Sequence, residues 1–281
     1  MDTTTKNATN KATEENHSST SASMVPSISL PKGGGAIHGI GEKFAANPVT
    51  GTGSFSVPIA TSPGRSGFGP QLSLAYDSGA GNGPFGFGWS LSLPSITRKT
   101  DKGLPQYQDS EESDVFLLSG AEDLVPVPGS SYKDETTTPG HIIQRYRPRI
   151  EGLFARIERW TNQQSGAIHW RSITRDNITT LYGKAENSCI VDPNDARRIF
   201  TWLICESYDD KGNAIVYEYL AENDTKVDRT QANERNRVRT ANRYLKHIKY
   251  GNVVSQLLEP DLTAANWMFE VDFDYDEGRY Q

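Results

Sequence analysis

Residues Ile28–Leu93 read ISLPKGGGAIHGIGEKFAANPVTGTGSFSVPIATSPGRSGFGPQLSLAYDSGAGNGPFGFGWSLSL, and this stretch decides the fold class. Short alternating runs stand between clusters of glycine, proline and serine: Ser54–Ile59, Gln71–Tyr76 and Trp89–Leu93. An apolar residue at every second position is the pattern of a strand with one buried face. The intervening PGRSG, DSGAGNGP and GFG words are turn chemistry, with glycine supplying positive φ and proline fixing φ near −65°. The stretch reads as loop-rich β structure, and nothing in it is arranged like an active site.

The same pattern runs on through the chain. Ile96–Lys99 continues the strand layer. Val115–Leu118 and Leu124–Val127 flank a glycine-containing loop as a hairpin, after the acidic loop Asp109–Asp114. Ile142–Arg149, Phe154–Trp160, Ile168–Ile173 and Ile178–Tyr182 are further strands. In Phe154–Trp160, Phe154, Arg156, Glu158 and Trp160 fall on one face and Ala155, Ile157 and Arg159 on the other, which predicts a covered face with polar spacers. Asp192 followed by Pro193 has the form of a helix N-cap and first turn, so a short helix is expected over Asp192–Arg198. Ile199–Tyr208 and Ala214–Tyr219 form a strand–turn–strand unit around Asp209–Asn213. Glu222–Arg243 is hydrophilic and is expected to be a long exposed excursion, part of it helical. Tyr244–Tyr250 and Trp267–Tyr275 are the last strands. In the latter, Phe269, Val271, Phe273 and Tyr275 form the dry face and Asp272, Asp274 and Asp276 the wet one. Residues 1–26 are Thr, Asn, Ser, Lys and Glu with almost nothing to bury. They are expected to form a disordered tail, since ordering costs roughly 1–2 kcal/mol of backbone entropy per residue and no core repays it. Residues 27–281 are expected to form one β domain.

Three groups of words carry a family resemblance. Ser29–Gly35, Gly39–Phe44, Asn47–Gly53, Ser62–Pro70 and Tyr76–Gly83 form a long ordered series, which continues through Ser119–Pro126. They resemble the N-terminal domain of the Salmonella virulence plasmid B (SpvB-type) family, shared with the B component of the Tc insecticidal toxin complexes. Tyr208–Tyr219, with its Asp-x-x-Gly-Asn turn and Tyr217-Glu218-Tyr219 strand, resembles the YD (Rhs) repeat, and Tyr250-Gly251-Asn252 is a fainter echo. The resemblance implies an all-β, hairpin-rich fragment of an Rhs-like shell. It also implies a non-catalytic structural role in a secreted toxin assembly that encloses and delivers a toxic cargo. The partners would be the rest of the B chain, the Tc C component and, indirectly, the pore-forming A component. The virulence protein of the family carries a separate ADP-ribosyltransferase domain. That class uses an arginine, a Ser-Thr-Ser strand and a Glu-x-Glu pair. Here Ser19-Thr20-Ser21 lies in the tail with no arginine before it, and no Glu-x-Glu string occurs. The expectation is therefore that the chain is not an enzyme and has no catalytic, cofactor or metal residues.

The residues themselves leave other chemistries with weak cases. A phosphate loop at Gly33-Gly34-Gly35 lacks the Walker string, and Gly39-x-Gly41 lacks its third glycine. Asp272, Asp274 and Asp276 have calcium-like spacing, but the sixth loop position is Glu277 rather than glycine; Asp192, Asn194 and Asp195 are no better. His17, His38, His141, His169 and His247 show no metal-ligand spacing, and no G-x-S-x-G elbow occurs. The arginines of Lys226–Arg243 are diluted by Asp228 and Glu234 and have no interleaved aromatic, so no nucleic acid is expected. Cys189 and Cys205 make neither a disulfide framework nor a zinc site and read as two buried free thiols. Two rival functions remain open: an extracellular carbohydrate-binding module using Trp89, Trp160 or Trp170 as stacking platforms, and a glycosidase built from distant carboxylates.

Net charge is −6 over 281 residues, with a pI near 5.5, which argues against a phosphate-binding surface. No apolar run approaches the ~20 residues of a membrane span, so no direct membrane insertion is expected. The N-terminus lacks an apolar signal region. Release from the bacterial cytoplasm to the exterior would then use a route other than a standard signal peptide. Because the chain stops soon after Trp267–Tyr275, that strand is expected to lack a partner on one side, so that the isolated chain self-associates while a longer one does not.

Overall fold

In the computed structural model, the described residues are 43–47 and 51–275, apart from 121, 135–137, 151, 153 and 226. The expected tail over 1–26, the glycine words before residue 43, His17, His38 and Asp276 lie outside them.

The all-β expectation is met. The first strands are β1 (Lys43–Asn47), β2 (Thr52–Ile59), β3 (Leu72–Asp77), β4 (Asn82–Gly83), β5 (Gly86–Phe87) and β6 (Trp89–Leu91). Then come β7 (Ser95–Arg98), β8 (Phe116–Leu118), β9 (Glu122–Pro126), β10 (Tyr132–Asp134), β11 (His141–Pro148), β12 (Arg156–Asn162), β13 (Ile168–Ile173) and β14 (Thr179–Tyr182). The last are β15 (Cys189–Asp192), β16 (Asp195–Tyr208), β17 (Ala214–Ala221), β18 (Arg243–Asn252) and β19 (Trp267–Asp272). Among the described residues, helix is limited to three single 3₁₀ turns.

The large sheet runs in the order β14-β13-β12-β11-β9-β8-β7-β16 and then β17-β18-β19. A further pairing of β14 with β16, Thr179 opposite Tyr208 and Tyr182 opposite Ile204, closes the first eight strands into an antiparallel barrel. Closure removes the free edges of those strands, and an eight-stranded barrel is just wide enough for side chains to fill it. They do: Ile96, Phe116, Leu124, Tyr146, Trp170 and Trp202 belong to one buried cluster. The fourteen residues of β16 serve both parts. Thr201–Leu203 pair with β7, while Glu206–Tyr208 pair with β17, so the sheet leaves the barrel as a three-strand extension.

A second sheet, β1-β2-β3-β6, is built from described residues between Lys43 and Leu91. Its loops lie on the extension. Arg65 Nη2 donates to the carbonyls of Asn252 and Val253 (3.2 and 3.1 Å), and Tyr250 Oη donates to Ser62 O (2.9 Å). Phe85 packs on Phe273 and Tyr275, ring centroids 6.3 and 6.1 Å apart. The dry face predicted for β19 is therefore covered from within the chain. Among the described residues, β18 is the one strand paired with β19.

One local expectation needs correction. Asp192–Arg198 is not a helix: Pro193 and Asn194 turn the chain between β15 and β16, Asp192 lies opposite Asp195, and Asp195–Arg198 open β16. The Asp192 carboxylate accepts the Asn194 N–H at 2.9 Å, an Asx turn that uses the same chemistry as an N-cap. The Glu222–Arg243 excursion carries one 3₁₀ turn, Arg239–Ala241. Arg239, 4% exposed, pairs with Glu222, Asp224 and Glu234, and Arg237 pairs with Glu222, while Arg229 and Arg235 are exposed.

The Asp209–Asn213 turn forms as its residues dictate. Asp209 accepts the N–H groups of Lys211 and Asn213, both at 2.9 Å, and Gly212 takes φ +78°. Asn252 of the Tyr-Gly-Asn word locks this turn, donating to Gly212 O and accepting from the Ala214 N–H, each at 2.8 Å.

Candidate functional site

The most built polar site is one mouth of the barrel. Arg98 ends β7 and, like Ile96 two residues before it, points inward. Burying a guanidinium is costly unless it is paired, and the chain meets this cost with its own acidic loop. The connection from β7 to β8 folds over the mouth. Arg98 donates to both carboxylate oxygens of Asp109 (2.7 and 2.8 Å), to Asp114 (2.7 Å) and to Ile199 O (2.7 Å). Its guanidinium stacks over Tyr107, Phe116 and Trp202, at 4.7, 5.2 and 5.2 Å from the ring centroids.

Arg159 of β12 enters from the opposite wall. It donates to Glu112 at 2.5 Å and to Asp109 O at 3.2 Å, and Glu112 in turn accepts the Tyr146 hydroxyl at 2.5 Å. Nε and Nη1 of Arg159 are buried without a hydrogen-bond partner. Tyr107 and Glu112 hold φ of +58° and +51°, which bulky L-residues adopt only when their surroundings fix them. The acidic loop expected over Asp109–Asp114 is therefore a plug across the barrel mouth, with Asp109 and Asp114 turned in to Arg98 and Ser110, Glu111 and Glu112 exposed on its outer side. Sequence reading had no signal that pairs it with Arg98 and Arg159.

The outer wall of the same strands carries a second cluster. Arg156, Glu158 and Trp160 share this face, as the alternation predicts, but it is covered only in part: Glu158 and Trp160 are buried and the Arg156 side chain is 42% exposed. Glu158 accepts from Arg156, from Trp160 Nε1 (3.1 Å) and from Nε and Nη2 of Arg171 (2.9 and 2.7 Å). His169 stacks on Trp160 at a centroid distance of 5.7 Å. Burial, reinforced by Lys184, His141 and Arg171, lowers the His169 pKa from 6.5 to about 3.

That depression has a sign. The unfolded chain takes up this proton near pH 6.5 while the folded chain resists it until about pH 3. The stabilisation is thus complete above pH 6.5 and lost as pH falls, with a slope approaching about 1.4 kcal/mol per pH unit. Urea unfolding at pH 7, 5.5 and 4.5 should show this loss, and His169→Phe should flatten it. Identical slopes in the two proteins would refute the assignment.

The other candidates are dispersed. Trp160 and Trp170 are 5% and 0% exposed, so neither offers a sugar-stacking face, and Trp89 packs on Tyr76 at 5.3 Å. Asp109, Glu112 and Asp114 converge, but on arginines and a tyrosine rather than across a cleft. Cys189 and Cys205 are free thiols that donate to the carbonyls of Gly183 and Leu181, and burial pushes Cys189 up to about 12. Asp272 bonds Lys246 at 2.8 Å. Among the described residues no group of three or more His, Cys, Asp or Glu could hold a metal ion, and no helix is long and apolar enough to cross a membrane.

Set beside known proteins, this barrel and its plug have clear relatives. The family model described as Salmonella virulence plasmid 65kDa B protein matches residues 47–281. The chain belongs to this family. The mono(ADP-ribosyl)transferase SpvB of Salmonella choleraesuis strain SC-B67 is 38% identical over 274 residues, covering 92% of this chain and 44% of the relative. The chain thus spans less than half the length of that curated relative. Among solved structures, TcdB2-TccC3 matches with TM-score 0.74 and 33% identity, over 92% of this chain and 13% of that one. The N-terminal domain of effector protein SpvB from Salmonella typhimurium strain LT2 matches with TM-score 0.65 and 38% identity, over 78% of this chain and 73% of that one. The resemblance drawn from the glycine-rich words is therefore correct.

The functional expectation drawn from it is not. A non-catalytic shell part that is no enzyme is contradicted by the relatives, which are named mono(ADP-ribosyl)transferases.

Proposed function

We propose that this chain serves a bacterial mono(ADP-ribosyl)transferase toxin of the SpvB kind, which moves ADP-ribose from NAD to a protein acceptor. In this reading the plugged barrel and its extension are the part through which the toxin assembles with Tc-type components, and the toxin acts outside the bacterium that makes it. The observation that carries the reading is the 38% identity to the SpvB transferase over 92% of the chain. The likeness to TcdB2-TccC3 supports the assembly part.

The experiment uses the native protein, tagged at its own locus and purified from its bacterium with whatever accompanies it. Incubation with biotinylated NAD and an animal-cell lysate should label a lysate protein, and mass spectrometry should find a second toxin chain in the preparation. A folded preparation that transfers no label overturns the transferase reading, and a chain purified alone overturns the assembly part.

A further inference from the structure

The outer wall of β11, β12 and β13 carries more positive charge than its own residues consume. Arg145, Glu158 and Arg171 lie side by side on adjacent strands, since Arg145 is opposite Glu158 and Glu158 opposite Arg171. Arg156 stands two residues along β12 on the same face. Neighbouring strands are ~4.8 Å apart, so the cluster spans only about 10 Å. Among the described residues, three guanidiniums share the one Glu158 carboxylate, with Arg145 at 3.9 Å. The carboxylate is fully buried, while the Arg145, Arg156 and Arg171 side chains keep 45%, 42% and 24% exposure. Glu158 therefore acts as a buried anchor that holds the arginines in place and leaves their outer N–H groups facing solvent.

The arginines are also fixed by their neighbours. Arg171 lies over the Trp160 ring at 4.4 Å, and Arg156 Nη2 donates to the Tyr132 hydroxyl at 3.1 Å. A guanidinium held in this way loses less freedom when it pairs, and its planar fork matches a carboxylate with two parallel hydrogen bonds.

We propose that this face is a docking surface for an acidic segment of a partner protein, whose carboxylates pair with Arg145, Arg156 and Arg171. The choice of partner follows from the site. A nucleic acid needs a longer basic stripe and open aromatic faces, and here the one tryptophan is buried beneath Arg171. The chain as a whole carries −6, so an acidic segment is repelled everywhere except at a local positive patch. This inference rests on the barrel wall alone and stands or falls separately from the transferase reading.

A fluorescein-labelled peptide of about ten glutamates is the probe, followed by fluorescence anisotropy. Binding should weaken as NaCl rises from about 50 to about 300 mM. Arg147, exposed and two residues along β11 from Arg145, lies on the same face; neutralising that face with R145Q/R147Q/R156Q should weaken binding about tenfold or more. The milder R145Q/R147Q leaves the Glu158 bonds to Arg156 and Arg171 intact and should give a smaller loss with an unchanged melting temperature. Arg197, exposed and paired with Asp195 on the β15–β16 hairpin, is the control, and R197Q should bind as the parent does. The proposal is overturned if the parent fails to bind, if R197Q loses as much as the double variant, or if single-stranded DNA binds more tightly than the peptide. Displacement of the peptide by millimolar inorganic phosphate would also overturn it, in favour of a small-anion site, as would self-association of the chain through this face.

Discussion

Arg98→Ala is expected to cost about 3–5 kcal/mol of folding stability, because it leaves Asp109 and Asp114 buried in the barrel mouth without their cation. Arg98 is 1% exposed and makes four hydrogen bonds, three of them to these two carboxylates. The same change should release the plug. Asp114 organises that loop by accepting the backbone N–H groups of Gln106 and Tyr107, both at 2.9 Å, and its placement depends on Arg98. Guanidinium unfolding gives the stability change, and hydrogen exchange over residues 100–114 reports the plug. Replacing the whole network, with Arg98→Met, Asp109→Asn and Asp114→Asn together, should recover part of the loss, because no charge then remains buried and unpaired. A loss below about 1 kcal/mol for Arg98→Ala, with exchange unchanged in the loop, would mean that the plug is held by other contacts.

Trp202→Ala should be as damaging, at about 3–5 kcal/mol. Trp202 is 0% exposed at the centre of the barrel and meets Phe116 and Trp170 at centroid distances of 5.7 and 5.9 Å. Its indole N–H donates to Ile168 O at 2.9 Å, tying β16 to β13 across the interior. Gly183, at φ +69°, exists to make room for it: a Cβ at that position would strike the Trp202 ring. Truncation therefore leaves a large cavity, an unpaired carbonyl and an Arg98 guanidinium without one of its stacking partners. For a domain of this size the unfolding midpoint should fall by about 10 °C or more. Trp202→Phe should keep most of the packing and lose chiefly the hydrogen bond. A midpoint unchanged in Trp202→Ala would show that the barrel does not depend on its central side chains.

The charge clusters on either side of the wall also bear on function. The plug turns Asp109 and Asp114 toward Arg98 and pairs Glu112 with Arg159, while Glu111 stays exposed. Arg145, Arg156 and Arg171 face the other way, with one carboxylate among the three. The barrel therefore presents cations outward while the chain as a whole is acidic.

What the sequence determined by itself is local. Alternation in Gln71–Tyr76, Ile168–Ile173 and Trp267–Tyr275 fixes which residues share a face, because side chains in a strand point to opposite sides in turn. Asp77, Asp209 and the glycines after them fix the turns, since the Asx bond and positive φ are properties of those residues. The family is legible too, because Asn47–Gly53, Ser62–Pro70 and Tyr76–Gly83 are long ordered words rich in glycine, proline, serine and asparagine. Tertiary structure alone decided the rest. Barrel closure joins β7 to β16 across about a hundred residues of sequence, a pairing that no local pattern encodes. Arg159 points into the barrel and Arg156 and Arg171 out of it, yet each is an arginine in an alternating strand. Arginine has an apolar stem and a charged head, so it suits a plugged interior and a wet exterior equally well. Which it occupies depends on the acids that other segments bring to it. Asp192 shows the same limit: its carboxylate caps the nearest free N–H groups, and the pairing of Cys189–Asp192 with β16 made the surrounding segment a turn rather than a helix.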